Sequence, residues 1–211
     1  LTTVLVDLSR DEHVPTLANF SAVIVLGGPD SANDENTKIA RELGLIREII
    51  RTAIPYLGIC LGLQMLVKAA GGTVYQNPVK EIGLTDPQGK PYTVSLTSAG
   101  KTDPLLAGIA ETFPIFQLHG ETVTLTPTMT LLASGQHCQN QIVRIAPKQY
   151  GIQGHLEVTD VMLKNWLTLD HDLKQQTSTD LVAGFQSIQT TYRQNGRKLI
   201  TNFLALAGLD R

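Results

Sequence analysis

The sequence predicts an α/β domain: an open, mostly parallel twisted sheet with helices on both faces, antiparallel additions and C-terminal helices. Three observations carry that expectation. Up to Gly72, short apolar runs alternate with longer stretches of helical periodicity, the pattern of βα repeats and a largely parallel sheet. From Lys80 to Tyr150, short segments separated by turn residues read as antiparallel strands beside the parallel set. After Thr159 the pattern turns helical again.

Taken in order, Val4-Leu5-Val6 reads as a first strand, and Ala22-Val23-Ile24-Val25-Leu26 as a second that is buried on both faces. Ile39, Leu43, Ile46 and Ile50 form one stripe of an amphipathic helix. Pro55–Ile59 reads as a third strand, and 61–70 as a buried helix stopped by Gly71-Gly72. Tyr92–Leu96, Ile115–Leu118, Thr130–Ala133 and Gln141–Ile145 are the expected antiparallel strands. Three helical stripes follow: Met162, Trp166 and Leu169; then Leu181, Phe185, Ile188 and Tyr192; then Leu199, Phe203 and Leu206.

Composition narrows the function classes. At about 150 residues per domain, 211 residues make a single domain, read as an α/β core over 1–158 and a helical C-terminal extension over 159–211. Seventeen basic against nineteen acidic residues leave no electrostatic footprint for nucleic acid or an anionic membrane. The longest apolar stretch, Ile54 to Val67, contains Pro55 and Gln64 and is too short to span a bilayer. Two cysteines make no disulfide framework, and no secretory pattern opens the chain, so a soluble cytoplasmic protein is expected. The first residue is Leu1 rather than Met.

The chemistry concentrates in three strings. Gly58-Ile59-Cys60-Leu61-Gly62-Leu63-Gln64 places a thiol between two glycines at a predicted strand-to-helix junction, the pattern of a nucleophile elbow. The sharp turn strains the backbone at the nucleophile, and glycines two residues either side avoid clashes. The helix start then favours a thiolate at Cys60. Alone, the pattern is as readily a buried structural cysteine in a glycine-rich turn. In Gly154-His155-Leu156-Glu157, residues i and i+2 of extended chain share a side, so Glu157 can orient the His155 imidazole as a thiol nucleophile requires. Leu26-Gly27-Gly28-Pro29 follows a predicted strand, and its free amides can face a developing oxyanion together with the amide of Leu61. The His137-Cys138 pair has no second ligand pair at zinc spacing and reads as a loop with a free cysteine. His13 and His171 read as solvated histidines, and Arg193, Arg197 and Lys198 as a solvated helix face.

In this order, GGP, GICLGLQ and GHLE resemble the motifs of class I glutamine amidotransferases of the Cys-His-Glu type, a flavodoxin-like fold. The similarity is greatest to the stand-alone group that resembles the amidotransferase domain of GMP synthase, and it runs from Leu1 to Leu206. Lys80-Glu81-Ile82-Gly83 and Leu118-His119-Gly120-Glu121-Thr122 support it. The resemblance implies that Cys60 is the nucleophile, His155 the general base and acid, and Glu157 the orienting carboxylate. It implies oxyanion amides at Gly28 and Leu61, and substrate contacts from Gln64 and from the segment around His119 and Gly120, with His119 itself structural. Two departures stand out. Gly154 and Leu156 replace an aromatic and a proline flanking the family histidine, and Leu118 replaces an aromatic before His-Gly. Gly154 is expected to loosen the backbone beside His155.

The function so implied is hydrolysis of the γ-amide of L-glutamine through a cysteine thioester, releasing glutamate and ammonia without a metal or organic cofactor. A γ-glutamyl peptidase acting on larger γ-glutamyl amines is the alternative, followed by a non-catalytic regulatory subunit on the same scaffold. Ammonia used in synthesis would go to a separate ammonia-accepting synthetase. In this family a strand and helix precede the strand equivalent to Val4–Val6. The expectation is therefore that one βα unit, about 25–30 residues, precedes Leu1.

Overall fold

The computed structural model describes residues 1–10 and 12–209. Its strands are β1 (Val23–Val25), β2 (Tyr56–Ile59), β3 (Thr73–Gly83), β4 (Thr93–Leu96), β5 (Thr112–Pro114), β6 (Gln117–Thr124), β7 (Thr130–Gly135), β8 (Ile142–Ala146) and β9 (Gln149–Ile152). Its α-helices are α1 (Thr37–Thr52), α2 (Leu61–Ala69), α3 (Asp160–Leu169) and α4 (Ser178–Leu206). Seven strands form one sheet in the order β1-β2-β9-β8-β7-β4-β5, and β3 pairs with β6 in a separate antiparallel ribbon.

The expected α/β sheet is therefore present as a mixed one. Five of the seven strands point the same way, but neighbours pair in parallel only within β1-β2-β9. Alternation along β2 supplies both layers. Tyr56 joins the core that α1 and α2 cover, through Ile39, Leu43, Ile46, Leu63 and Met65. Leu57 joins the opposite core, which α3 and α4 cover through Leu163, Phe185, Tyr192, Leu199 and Phe203. The Asn36 side chain caps α1 by accepting from the Ile39 amide at 2.8 Å. The two C-terminal stripes lie on one continuous helix, α4, whose buried Phe185, Tyr192 and Leu199 recur every seven residues.

Three expectations need correction. Residues 4–6 form no strand: Val4 and Leu5 are exposed, and no described strand lies beside them to accept their backbone hydrogen bonds. For the same reason β1 is an edge strand with β2 as its sole neighbour among the described residues, so Ile24 and Leu26 are exposed rather than buried on both faces. Leu169 ends α3 at the surface, and Leu163 takes the buried place in that helix. The ribbon strand β3 is an addition to the expected elements. Pro78 interrupts its pattern, and the ladder to β6 breaks between Gln76 and Glu81, around that proline.

Candidate active site

The turn from β2 into α2 is a nucleophile elbow in its geometry. Cys60 sits between strand and helix with φ 53° and ψ −107°, a conformation that costs a non-glycine residue about 1–3 kcal/mol. The surroundings hold it there. The Cys60 amide donates to the Ile152 carbonyl at 2.7 Å, and its own carbonyl accepts from the Gln64 amide at 3.1 Å. A Cβ on Gly58 would lie 2.4 Å from the Gly62 carbonyl oxygen, and one on Gly62 2.3 Å from that of Val25. Backbone proximity therefore demands both glycines, and Cys60 is left at the N-terminal, positive end of α2.

β9 runs beside β2 and delivers the second string. After Ile152 the chain bridges to Phe116: the His155 amide donates to the Phe116 carbonyl at 2.8 Å, and the Phe116 amide returns a bond at 3.3 Å. The His155 carbonyl also accepts from the Tyr192 hydroxyl of α4 at 2.8 Å. The ring stands edge-on to Trp166, centroids 5.4 Å apart, and to Phe116 at 6.4 Å. Nδ1 lies 2.6 Å from Glu157 Oε1, and Glu157 Oε2 accepts from the Leu156 amide at 2.9 Å. Burial lowers the pKa of His155, but its hydrogen bonds to Cys60 and Glu157, together with their charges, outweigh burial and push it up to about 10. Gly27 lies against both strings: a Cβ there would stand 3.3 Å from Cys60 Cβ and 3.4 Å from His155 Cε1.

The loop carrying Gly28 closes over the start of α2, where a Cβ on Gly28 would touch Leu61 Cδ2 at 3.4 Å. Among the described residues, neither the Gly28 nor the Leu61 amide donates to a protein acceptor. The Ser31 hydroxyl donates to the Glu121 carboxylate at 2.8 Å, and Lys68 Nζ to the Ala32 carbonyl at 2.8 Å, so the loop is pinned to β6 and α2. The Gln64 side chain donates through Nε2 to the Glu121 carbonyl at 3.1 Å. The β3–β6 ribbon reaches the thiol through the Leu118 carbonyl, 3.8 Å from Cys60 Sγ. Gly120 packs on the aliphatic chain of Lys80. His119 is engaged elsewhere: its Nδ1 meets the Glu121 carbonyl at 3.0 Å and its Nε2 lies 2.9 Å from Glu81. The structure thus brings Cys60, His155, Glu157, Gly28, Leu61 and Gln64 together, while the His119 side chain belongs to a separate buried group.

Sequence reasoning passed over Gln153. It is fully buried; its Nε2 lies 3.8 Å from Cys60 Sγ, and its Oε1 accepts from Gln64 at 3.4 Å. An amide so placed donates to sulfur while Gln64 fixes its orientation. Position just before Gly-His was the available signal. Tyr192 and Trp166 read only as helix-stripe residues, because their contacts with His155 cross 37 residues and 11 residues of chain. The expectation for Gly154 is corrected. A Cβ there would come 2.6 Å from Gln117 Oε1 and 2.7 Å from Ile115 Cδ1, both on buried side chains. Ile115 fills the space beside position 154, and the flanking bridge to Phe116 holds the backbone firm.

With this geometry in place, comparisons with known proteins are informative. Residues 1–165 match the family "Glutamine amidotransferase class-I". The chain is 33% identical over 150 residues to the glutamine amidotransferase-like protein YfeJ of Salmonella typhimurium, covering 69% of this chain and 60% of that protein. It is 32% identical over 143 residues to the glutamine-hydrolyzing GMP synthase of Cronobacter sakazakii, covering 67% of this chain but 26% of that one. This chain therefore spans less than two thirds of the length of either relative. A crystal structure of a glutamine amidotransferase from Thermotoga maritima superposes with a TM-score of 0.81 at 27% identity, covering 94% of this chain and 84% of the other. Together with the elbow and the histidine–glutamate pair, the match over residues 1–165 places this chain in the class I glutamine amidotransferase family.

Proposed function

We propose that the chain hydrolyses the γ-amide of L-glutamine to glutamate and ammonia, with Cys60 as nucleophile, His155 as general base and acid, and Glu157 as its orienting partner. The observation that carries this reading is the strained Cys60 at the α2 N-terminus facing an imidazole whose far nitrogen is held 2.6 Å from Glu157. With the thiol proton held on His155 as the imidazolium, the sulfur attacks the γ-carbonyl carbon. The oxyanion that forms is met by the amides of Gly28 and Leu61. His155 returns the proton to the departing nitrogen, which leaves as ammonia, and the γ-glutamyl thioester remains. His155 then removes a proton from water; the hydroxide attacks the thioester carbon, the C–S bond breaks, and glutamate departs. Gln64 and the backbone from Leu118 to Gly120 line the substrate side of the thiol. Ammonia so released serves a synthetase partner that holds the acceptor.

The test is glutamate release from glutamine by wild type and by Cys60→Ala. Equal rates would remove the proposal. γ-Glutamyl dipeptides assayed beside glutamine show whether the leaving-group side accepts amines larger than ammonia, the peptidase alternative. Covalent labelling of Cys60 by a thiol-directed glutamine analogue separates both from a non-catalytic role, since the last gives no adduct.

A further inference from the structure

A second group of cysteine, histidine and glutamate lies behind the β3–β6 ribbon. Glu81 comes from β3, His119 from β6, and Cys138 from the turn between β7 and β8. All three are buried, and one donor atom from each lies within 4.8 Å of the other two. Nothing in the proposed hydrolysis uses their side chains.

The charge arrangement calls for a cation. His119 Nδ1 faces the Glu121 carbonyl at 3.0 Å, a group that only accepts, so Nδ1 carries a proton. In a neutral imidazole, Nε2 would then present a lone pair to the Glu81 carboxylate 2.9 Å away, one acceptor facing another. The close approach is out of hydrogen-bonding alignment, and Nε2 stays without a hydrogen-bond partner although the side chain is 1% exposed. Gln141 adds a second unpartnered atom: its Nε2 donates to Glu81 at 3.1 Å, while its Oε1 is buried with no partner. A second proton on the imidazole or a metal ion would each supply positive charge. The sulfur beside them favours a metal, because thiolate, imidazole and carboxylate are the zinc donor set.

We infer that Glu81, His119 and Cys138 form a binding site for a thiophilic divalent metal ion of the zinc class. Zinc bonds of about 2.0–2.3 Å require the three donors to draw inward by a shift on the order of half an ångström. Binding releases the Cys138 thiol proton to solvent as the metal–sulfur bond forms, and any second proton on His119 leaves with it. Thr122 Oγ1, 3.1 Å from Cys138 Sγ, and Gln141 Nε2, 3.1 Å from Glu81, are further polar groups in contact with the three donors. The ion would tie the ribbon to the main sheet. It would also act on the active-site wall, because the Glu121 carbonyl accepts from both His119 and Gln64, and Leu118 is the neighbour of His119.

The test uses the chain without a histidine tag, stripped with chelator, loaded with zinc(II), dialysed and analysed for metal. Cobalt(II) serves as the spectroscopic probe. Cys60, His155 and Glu157 also offer a thiol, an imidazole and a carboxylate, so Cys60→Ser is measured in parallel. About one zinc per chain is expected in wild type and in Cys60→Ser, and none in Cys138→Ser. A thiolate-to-cobalt charge-transfer band should persist in Cys60→Ser and vanish in Cys138→Ser. Complete loss of zinc from wild type on dialysis overturns the assignment. So does loss confined to Cys60→Ser, which would put the metal at the active site, or full retention by Cys138→Ser. The wild-type and Cys60→Ser readings decide the matter even where Cys138→Ser fails to fold, because Cys138 is the one thiol left in Cys60→Ser to give the cobalt band.

Discussion

Two groups of cysteine, histidine and glutamate lie within this one chain, and their different wiring separates chemistry from structure. At the elbow, the histidine gives Nδ1 to a glutamate 2.6 Å away and turns its remaining nitrogen toward a cysteine held at a helix N-terminus. Behind the ribbon, the histidine gives Nδ1 to a backbone carbonyl and turns Nε2 to the glutamate itself. The second cysteine is hydrogen-bonded with Thr122 in solvent-free surroundings, and burial pushes its thiol up to about 11. A thiol so placed stays protonated at neutral pH and makes a poor nucleophile. The same residue types thus become a candidate triad or a candidate metal cage according to which imidazole nitrogen faces which partner.

The largest expected effect breaks the comparison at its sharpest point. Cys60→Ala should lower glutamine hydrolysis by about 10⁴-fold or more, whereas Cys138→Ser, which reaches the thiol only through the active-site wall, should lower kcat far less; glutamate release measures both. Next, Glu157→Gln should cost about 10³-fold in kcat while the fold survives, because the amide no longer fixes the His155 tautomer. The same pair has a pH signature. His155 is raised from 6.5 to about 10 in the folded protein, so the stability it contributes is full below about pH 6.5 and disappears as pH rises through about 10. Urea midpoints of wild type and His155→Gln should accordingly converge across that window. A widening gap would contradict the stabilised imidazolium.

Smaller effects sharpen the picture of what supports His155. Gly154→Ala should cost about 1–3 kcal/mol through overpacking against Ile115 and Gln117, read from denaturant unfolding. A neutral result would show that the pocket beside the histidine adapts. Tyr192→Phe should cost about 1 kcal/mol, with a modest loss of kcat, because α4 then no longer holds the His155 carbonyl. Unchanged kcat with reduced stability would make that contact structural alone.

The legibility of the sequence follows the range of the interactions. Gly58, Cys60 and Gly62 fall within one turn, so the elbow was readable from spacing, and His155 and Glu157 stand two residues apart. The stripe of α1 was equally plain, since Ile39, Leu43 and Ile46 are one helix face. By contrast, among the described residues Val4–Val6 has strand composition but no partner strand, and β1 has strand composition but one neighbour. β-Propensity describes a segment, while pairing and burial belong to its neighbours. Pro78 concealed β3 because a bulge, visible only in the ladder, absorbs it.

By itself the sequence determined the local chemistry: where the chain turns sharply enough to set a thiol at a helix N-terminus, and which carboxylate stands beside which imidazole. Those features depend on backbone sterics and on side-chain direction over a few residues, and both are written in adjacent letters. Only the tertiary structure decided that Gln153 reaches Cys60, that Tyr192 holds the backbone of His155, and that Gly154 is glycine because Ile115 occupies its side-chain space. It alone gathered Glu81, His119 and Cys138, since 57 residues separate the first from the last and no spacing rule joins them. Contacts across separate strands arise when two hydrophobic faces close on one another, and the partners they bring together have no common period in the chain.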